Sequence, residues 1–137
     1  TLTDRKARAP FLFAQRLEDA SFPTVFGYGH GDVIRGLEPE WKDGLSPWQL
    51  TESNGRWYGR GIADNKGQHS VNMSALRSVI ETRGRLGFNA KYLIEMGEET
   101  GSLGLRDICS SHKDLFKADL LVASDGPRLR PERPRRP

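Results

Sequence analysis

Phe88-Asn89-Ala90-Lys91-Tyr92-Leu93-Ile94-Glu95-Met96, running on into Gly97-Glu98-Glu99, is the stretch on which the fold turns. Phe88, Ala90, Tyr92, Ile94 and Met96 recur at every second position, the period of a β-strand with one side against a core. Just upstream, Val71, Ala75, Leu76, Val79 and Ile80 fall on one face at helical spacing, and Gly84 is a natural stop, so residues 67–83 read as a helix. Before the helix, Thr24 to Tyr28 is a short β-rich run after the break at Pro23. After the central strand, Leu103 to Ser110 reads as a second helix, and Asp119 to Ala123 as a short buried strand because Leu120-Leu121-Val122 is continuously apolar. Phe11 to Asp19 reads as a short amphipathic helix. Residues 35–56 read as a surface excursion, punctuated by Pro39, Gly44, Pro47 and Asn54-Gly55. Alternating strands and helices predict an α/β domain with helices covering a sheet.

Bulk properties narrow the function classes. The chain has 137 residues, one ordinary domain by length, with 36% hydrophobic and 28% charged residues. No apolar run approaches the roughly 20 residues of a membrane-spanning helix. Thr1 to Ala9 is charged and lacks the apolar segment of a signal peptide. Cys109 is the only cysteine, which excludes an internal disulfide, points to a reducing, cytoplasmic setting and leaves any metal site to His and carboxylates. The net charge is +3; Arg128, Arg130, Arg133, Arg135 and Arg136 against Glu132 give the last ten residues +4, leaving −1 for the rest. Residues 128–137 therefore read as a basic Arg/Pro tail, disordered or truncated, following a domain at 1–127. A nucleic-acid role for the tail is the weaker reading, because no aromatic residues interleave with its arginines.

The ionisable residues fall in a pattern. His30 and Asp32 follow the first strand, Asp64 precedes the helix, Glu98 and Glu99 follow the central strand, and Asp125 follows the last. Ligands of open α/β sheets bind at that edge, and one His among carboxylates suits zinc, manganese or cobalt. In an adjacent pair such as Glu98-Glu99, one carboxylate can hold a metal while its neighbour takes a proton from water. An Asp two residues after a ligating His suits holding the imidazole's other N–H. Each residue also has a plain reading: Asp64 as an N-cap, Glu98-Glu99 as solvated charges at a helix start, Asp125-Gly126-Pro127 as a turn, His30 as structural. Their joint placement favours the site. No dinucleotide-binding glycine pattern, P-loop or Gly-x-Ser-x-Gly elbow is present.

Gly29-His30-Gly31-Asp32-Val33 resembles the Gly-His-x-Asp-Val motif of the zinc amidohydrolases that include acetylornithine deacetylase, succinyl-diaminopimelate desuccinylase, carboxypeptidase G, aminoacylase and carnosine dipeptidase. Gly59-Arg60-Gly61-Ile62-Ala63-Asp64-Asn65-Lys66-Gly67 resembles their Gly-Arg-Gly-x-x-Asp-x-Lys-Gly motif, Glu98-Glu99-Thr100-Gly101-Ser102 their Glu-Glu-x-Gly-Ser motif, and Ser124-Asp125-Gly126 the segment with a further acidic ligand. The four motifs stand in family order across residues 29–126. The resemblance implies part of a zinc-peptidase-like catalytic domain, a mixed sheet flanked by helices. It implies a metal-activated water cleaving an amide bond of an N-acyl amino acid or dipeptide, with no nucleic-acid or membrane partner. It implies two divalent metals, zinc foremost and cobalt or manganese as alternatives. His30 and Asp125 would hold one, Glu99 the other, and Asp64 would bridge them, with a cis peptide bond after it. Glu98 would be the general base, and Asp32 would orient His30.

Two departures qualify the resemblance. The family takes a further His from far downstream, and His69 and His112 match no ligand motif; both read as surface or helix residues. The family's lid-like domain, used for substrate contacts and often for dimerisation, is not expected among these 137 residues. The 137-residue chain is therefore expected to hold at most one metal tightly and to be inactive alone. A non-catalytic metal-binding remnant is the alternative.

Overall fold

A computed structural model describes residues 9–125, so the basic tail at 128–137 lies outside the described residues. Six strands and two helices follow one another as β1 Phe11–Arg16, β2 Thr24–His30, β3 Thr51–Ser53, β4 Arg56–Tyr58, α1 Lys66–Arg83, β5 Asn89–Glu95, α2 Leu105–Ser111 and β6 Leu120–Ala123. β1, β5, β2 and β6 form one mixed sheet in that order; β5 runs antiparallel to β1 and parallel to β2, and β2 runs parallel to β6. The crossovers from β2 to β5 and from β5 to β6 leave in opposite directions across the sheet. β2 is thus the strand at which the order reverses, the usual place for a crevice beyond the strand ends.

The period-2 run does form the central strand, but its deepest side chains are on the other face. Phe11, Leu93 and Ile108 are buried, and Phe13, Phe26, Tyr28, Leu105 and Phe116 pack around them under α2. Ala90, Tyr92 and Ile94 instead face Met73 and Leu76 of α1 across a shallow apolar groove. Gly84 ends α1 in the left-handed conformation, φ 73°, with its N–H on the carbonyl of Ile80. Asn54 and Gly55, both at positive φ, make the turn of a small β3–β4 hairpin inside the 35–56 excursion.

Three expectations are corrected. Residues 11–16 are a strand, not an amphipathic helix. Phe11 and Phe13 point into the α2-side core, and the strand pairs with β5 from Phe11↔Glu95 to Arg16↔Ala90. With both faces partly apolar, its alternation imitated a helical stripe. β6 is not buried: it lies at the sheet edge among the described residues, and Leu121 is 62% exposed. The sheet-facing side of α1 begins with polar side chains, Gln68 and His69 being buried while Val71 is exposed. No helix among the described residues is long and apolar enough to cross a membrane.

Candidate metal centre

His30 ends β2, and Asp32 lies two residues on, in the loop that follows. Asp64 and Asn65 precede α1, Glu98 and Glu99 open a 3-10 turn three residues beyond β5, and Asp125 lies two residues beyond β6. Parallel strands deliver these residues to one edge. There the buried imidazole of His30 meets three carboxylates through Nε2: Asp64 Oδ1 at 3.1 Å, Glu98 Oε2 at 3.7 Å and Asp125 Oδ1 at 3.9 Å. Its Nδ1 faces Asp32, 3.2 Å from the main-chain carbonyl and 3.3 Å from the carboxylate. The same carboxylate accepts the N–H groups of Glu98 at 3.3 Å and Glu99 at 3.1 Å. Asp32 thereby fixes both the ring and the adjacent glutamates.

The glutamates divide. His30, Asp64 and Glu99 bring ligand atoms within 4.8 Å of one another, and so do His30, Glu98 and Asp125. The resemblance put His30 and Asp125 on one metal, Glu99 on the other and Asp64 between them; here Asp64 clusters with His30 and Glu99, and Asp125 with His30 and Glu98. Negative charge is in surplus, with one imidazole facing Asp64, Glu98, Glu99 and Asp125 and backed by Asp32. Burial pulls the His30 pKa down, yet the Asp32 carbonyl and the carboxylates of Glu98, Asp125 and Asp32 outweigh it and leave it raised. The Glu98 pKa is raised by burial first, opposed by His30, and raised further by Asp125, Glu99 and Asp32. Such a donor set fits a hard or borderline divalent cation.

Three buried polar residues escaped the sequence reading. Asn65 accepts the His30 N–H at 3.2 Å and donates to the Ser124 carbonyl at 2.5 Å; the Asp64–Asn65 peptide is cis. His69 is a helix residue as expected, within α1, but buried and not on the surface: its Nε2 lies 2.9 Å from the His30 carbonyl, and its pKa is lowered, chiefly by burial. Glu95, fully buried, accepts the hydroxyls of Tyr28 and of Ser102, the latter at 2.9 Å, and so anchors the 97–102 loop from below; burial, then Glu95, push the Tyr28 phenol far up. One signal for His69 was available. A Cβ at Gly29 would lie inside the His69 ring and 2.6 Å from Asn65 Oδ1, so that glycine marks where α1 side chains rest on β2. His112 caps α2 instead, its Nδ1 3.2 Å from the Ile108 carbonyl.

The model of peptidase family M20/M25/M40 matches residues 27–133. The chain belongs to that family. A β-Ala-His dipeptidase of Mus musculus is 36% identical over 130 residues, 91% of this chain and 26% of that protein. A cysteinylglycine-S-conjugate dipeptidase of Corynebacterium striatum is 39% identical over 106 residues, 76% of this chain and 23% of that protein. The crystal structure of an M20 family metallo-carboxypeptidase from Sulfolobus solfataricus superposes with a TM-score of 0.77 at 32% identity, covering 83% of this chain and 25% of that one. The chain thus spans about a quarter of the length of these M20/M25/M40 relatives. The relatives named are hydrolytic enzymes, and the mixed sheet flanked by helices is the architecture the chain shares with them.

Proposed function

We propose that the chain carries the greater part of the metal centre of a metal-dependent amide hydrolase acting on a dipeptide or an N-acyl amino acid. The observation that carries the reading is the His30 Nε2 facing Asp64, Glu98 and Asp125. His30, Asp125 and Asp64 would hold one divalent cation, zinc foremost, with cobalt or manganese as alternatives; Asp64 would bridge to a second, on Glu99. Cations bound there supply Lewis-acid chemistry, polarising the amide carbonyl and acidifying water. Glu98 would take a proton from the attacking water and return it to the leaving amine, a role open to a carboxylate placed beside His30 and Asp125. Asp32 keeps the His30 ring turned so that Nε2 points at the carboxylates. Dipeptides head the substrate list because dipeptidases stand among the relatives. A cytoplasmic setting is the natural one for a chain whose single thiol is Cys109. In a full-length form, a lid domain would supply substrate contacts and a homodimer interface; no nucleic-acid or membrane partner is needed.

One observation favours a second reading, a metal-binding unit without turnover of its own. Among the described residues the second cation would have only Glu99 and the shared Asp64, because His69 and His112 are held elsewhere. That is fewer than the three protein ligands of a catalytic zinc. The test is to purify the 137-residue chain, measure bound metal, and assay dipeptides and N-acyl amino acids with zinc, cobalt or manganese. One tightly bound cation and little turnover is the expected result. Two tightly bound cations with turnover in the ordinary range of about 1–10³ s⁻¹ would overturn it and require a further ligand among these residues.

A further inference from the structure

Helix α1 meets the strand ends with polar side chains. Asn65 at its N-cap, His69 and Asn72 are four and three residues apart, so they share one face of its first two turns. Their partners connect in a row. Asn65 holds the His30 N–H through Oδ1 and, through Nδ2, the Ser124 carbonyl at 2.5 Å, with Asp125 Oδ1 3.4 Å away. His69 Nε2 is 2.9 Å from the His30 carbonyl, and its Nδ1 is 3.2 Å from the Tyr92 hydroxyl. Asn72 Nδ2 donates to Ser124 Oγ at 2.8 Å and lies 3.5 Å from the Tyr92 hydroxyl. A carbonyl oxygen only accepts, so His69 carries its proton on Nε2, and the neutral ring takes the Tyr92 proton on Nδ1.

The row therefore grips His30 on both sides of its α-carbon, N–H by Asn65 and C=O by His69. It also reaches the far ligand. The last β2–β6 pair is Tyr28↔Ala123, so Ser124 and Asp125 lie beyond the ladder, past the end of a strand that forms the edge of the described sheet and whose side chains are exposed. The described hydrogen bonds to Ser124 come from Asn65 and Asn72.

We propose that His69 and Asn72 are positioning residues for the candidate metal centre: His69 fixes the main chain of His30, Asn72 fixes Ser124, and together they keep the His30 ring and the Asp125 carboxylate at the spacing one cation needs. The inference rests on the metal-binding reading above. It differs from mere core packing, because the hydrogen-bonding atoms matter and the bulk of the side chains does not.

The experiment is titration of the 137-residue chain with Co²⁺ against a chromophoric chelator, recording the cobalt absorption spectrum and the metal-free unfolding midpoint. His69→Phe keeps a ring and loses both hydrogen bonds; Asn72→Leu keeps the branched shape and loses the donor; His69→Gln keeps an N–H able to reach the His30 carbonyl. Loss of an outer partner of a metal ligand costs about 10–100-fold in affinity. That loss, with an altered cobalt spectrum, is expected for His69→Phe and Asn72→Leu, while His69→Gln stays within a few-fold of wild type. Wild-type affinity and spectrum in folded His69→Phe would overturn the proposal, and so would His69→Gln as weak as His69→Phe. If His69→Phe does not fold, Asn72→Leu decides, and wild-type affinity there overturns it. A wild-type chain that binds no Co²⁺ refutes the metal-binding reading itself, an outcome distinct from equal binding by all four proteins.

Discussion

Glu98 and Glu99 are neighbours in the chain but not in their contacts. Both N–H groups are held by Asp32, which pins the turn, and the side chains then separate, Glu98 towards Asp125 and Glu99 towards Asp64. In a full-length, metal-loaded form, Glu98→Ala should lower kcat by roughly 10²–10⁴-fold with metal content nearly unchanged, the usual contribution of a positioned proton-transfer group. Glu99→Ala should instead reduce metal occupancy. Elemental analysis beside steady-state kinetics checks this, and exchanged phenotypes would mean the roles are reversed. At this scale the residues that gather around His30 were legible, because each motif names a particular side chain at a particular position. Asn65, His69 and Glu95 were not. Each is a buried polar residue whose need arises only when α1 closes over β2, or when the 97–102 loop folds over β5. Most of these partners are far away in sequence, Ser102 of Glu95 excepted, and no local period or stop signal announces them.

At the scale of elements, α1 and β5 were readable within a residue or two, since period and stop signals coincide there. β1 was not, since Leu12 and Ala14 on one face and Phe11 and Phe13 on the other gave it no polar side. Its pairing with β5 is reinforced just past its end. Asn89 binds the main chain at Glu18, Asp19 and Phe22, while the Glu18 carboxylate accepts the N–H groups of Leu86 and Gly87. The Leu86 N–H, the Arg16 side chain and the Gly87 N–H lower the Glu18 pKa from 4.5 to about 2. A depressed folded-state pKa stabilises the fold above the unfolded value, and that contribution is lost as pH falls through the folded one. Urea midpoints should therefore drop between about pH 4.5 and 2, and Glu18→Gln should flatten that drop. An unchanged acid slope in Glu18→Gln would show that the Leu86–Gly87 cradle does not hold a carboxylate.

For the whole molecule, the α/β class and the gathering of ligands at one edge follow from alternating strands and helices. What covers the remaining surfaces does not, because the chain corresponds to about a quarter of its relatives. β6 ends the described sheet with Leu120, Leu121 and Val122 exposed, and an apolar edge invites pairing between copies. Leu121→Lys should lower self-association of the purified chain in light scattering; unchanged association would place the adhesive surface elsewhere. Residues from three strand ends and the start of α1 converge on His30, and the role proposed for that cluster is to hold a cation. Equilibrium zinc titration of the purified chain beside His30→Ala is the sharpest check of that role. One tightly bound zinc per wild-type chain is expected, and none in a folded His30→Ala chain; a wild-type chain that binds no zinc, or a His30→Ala chain that binds it equally well, would refute it.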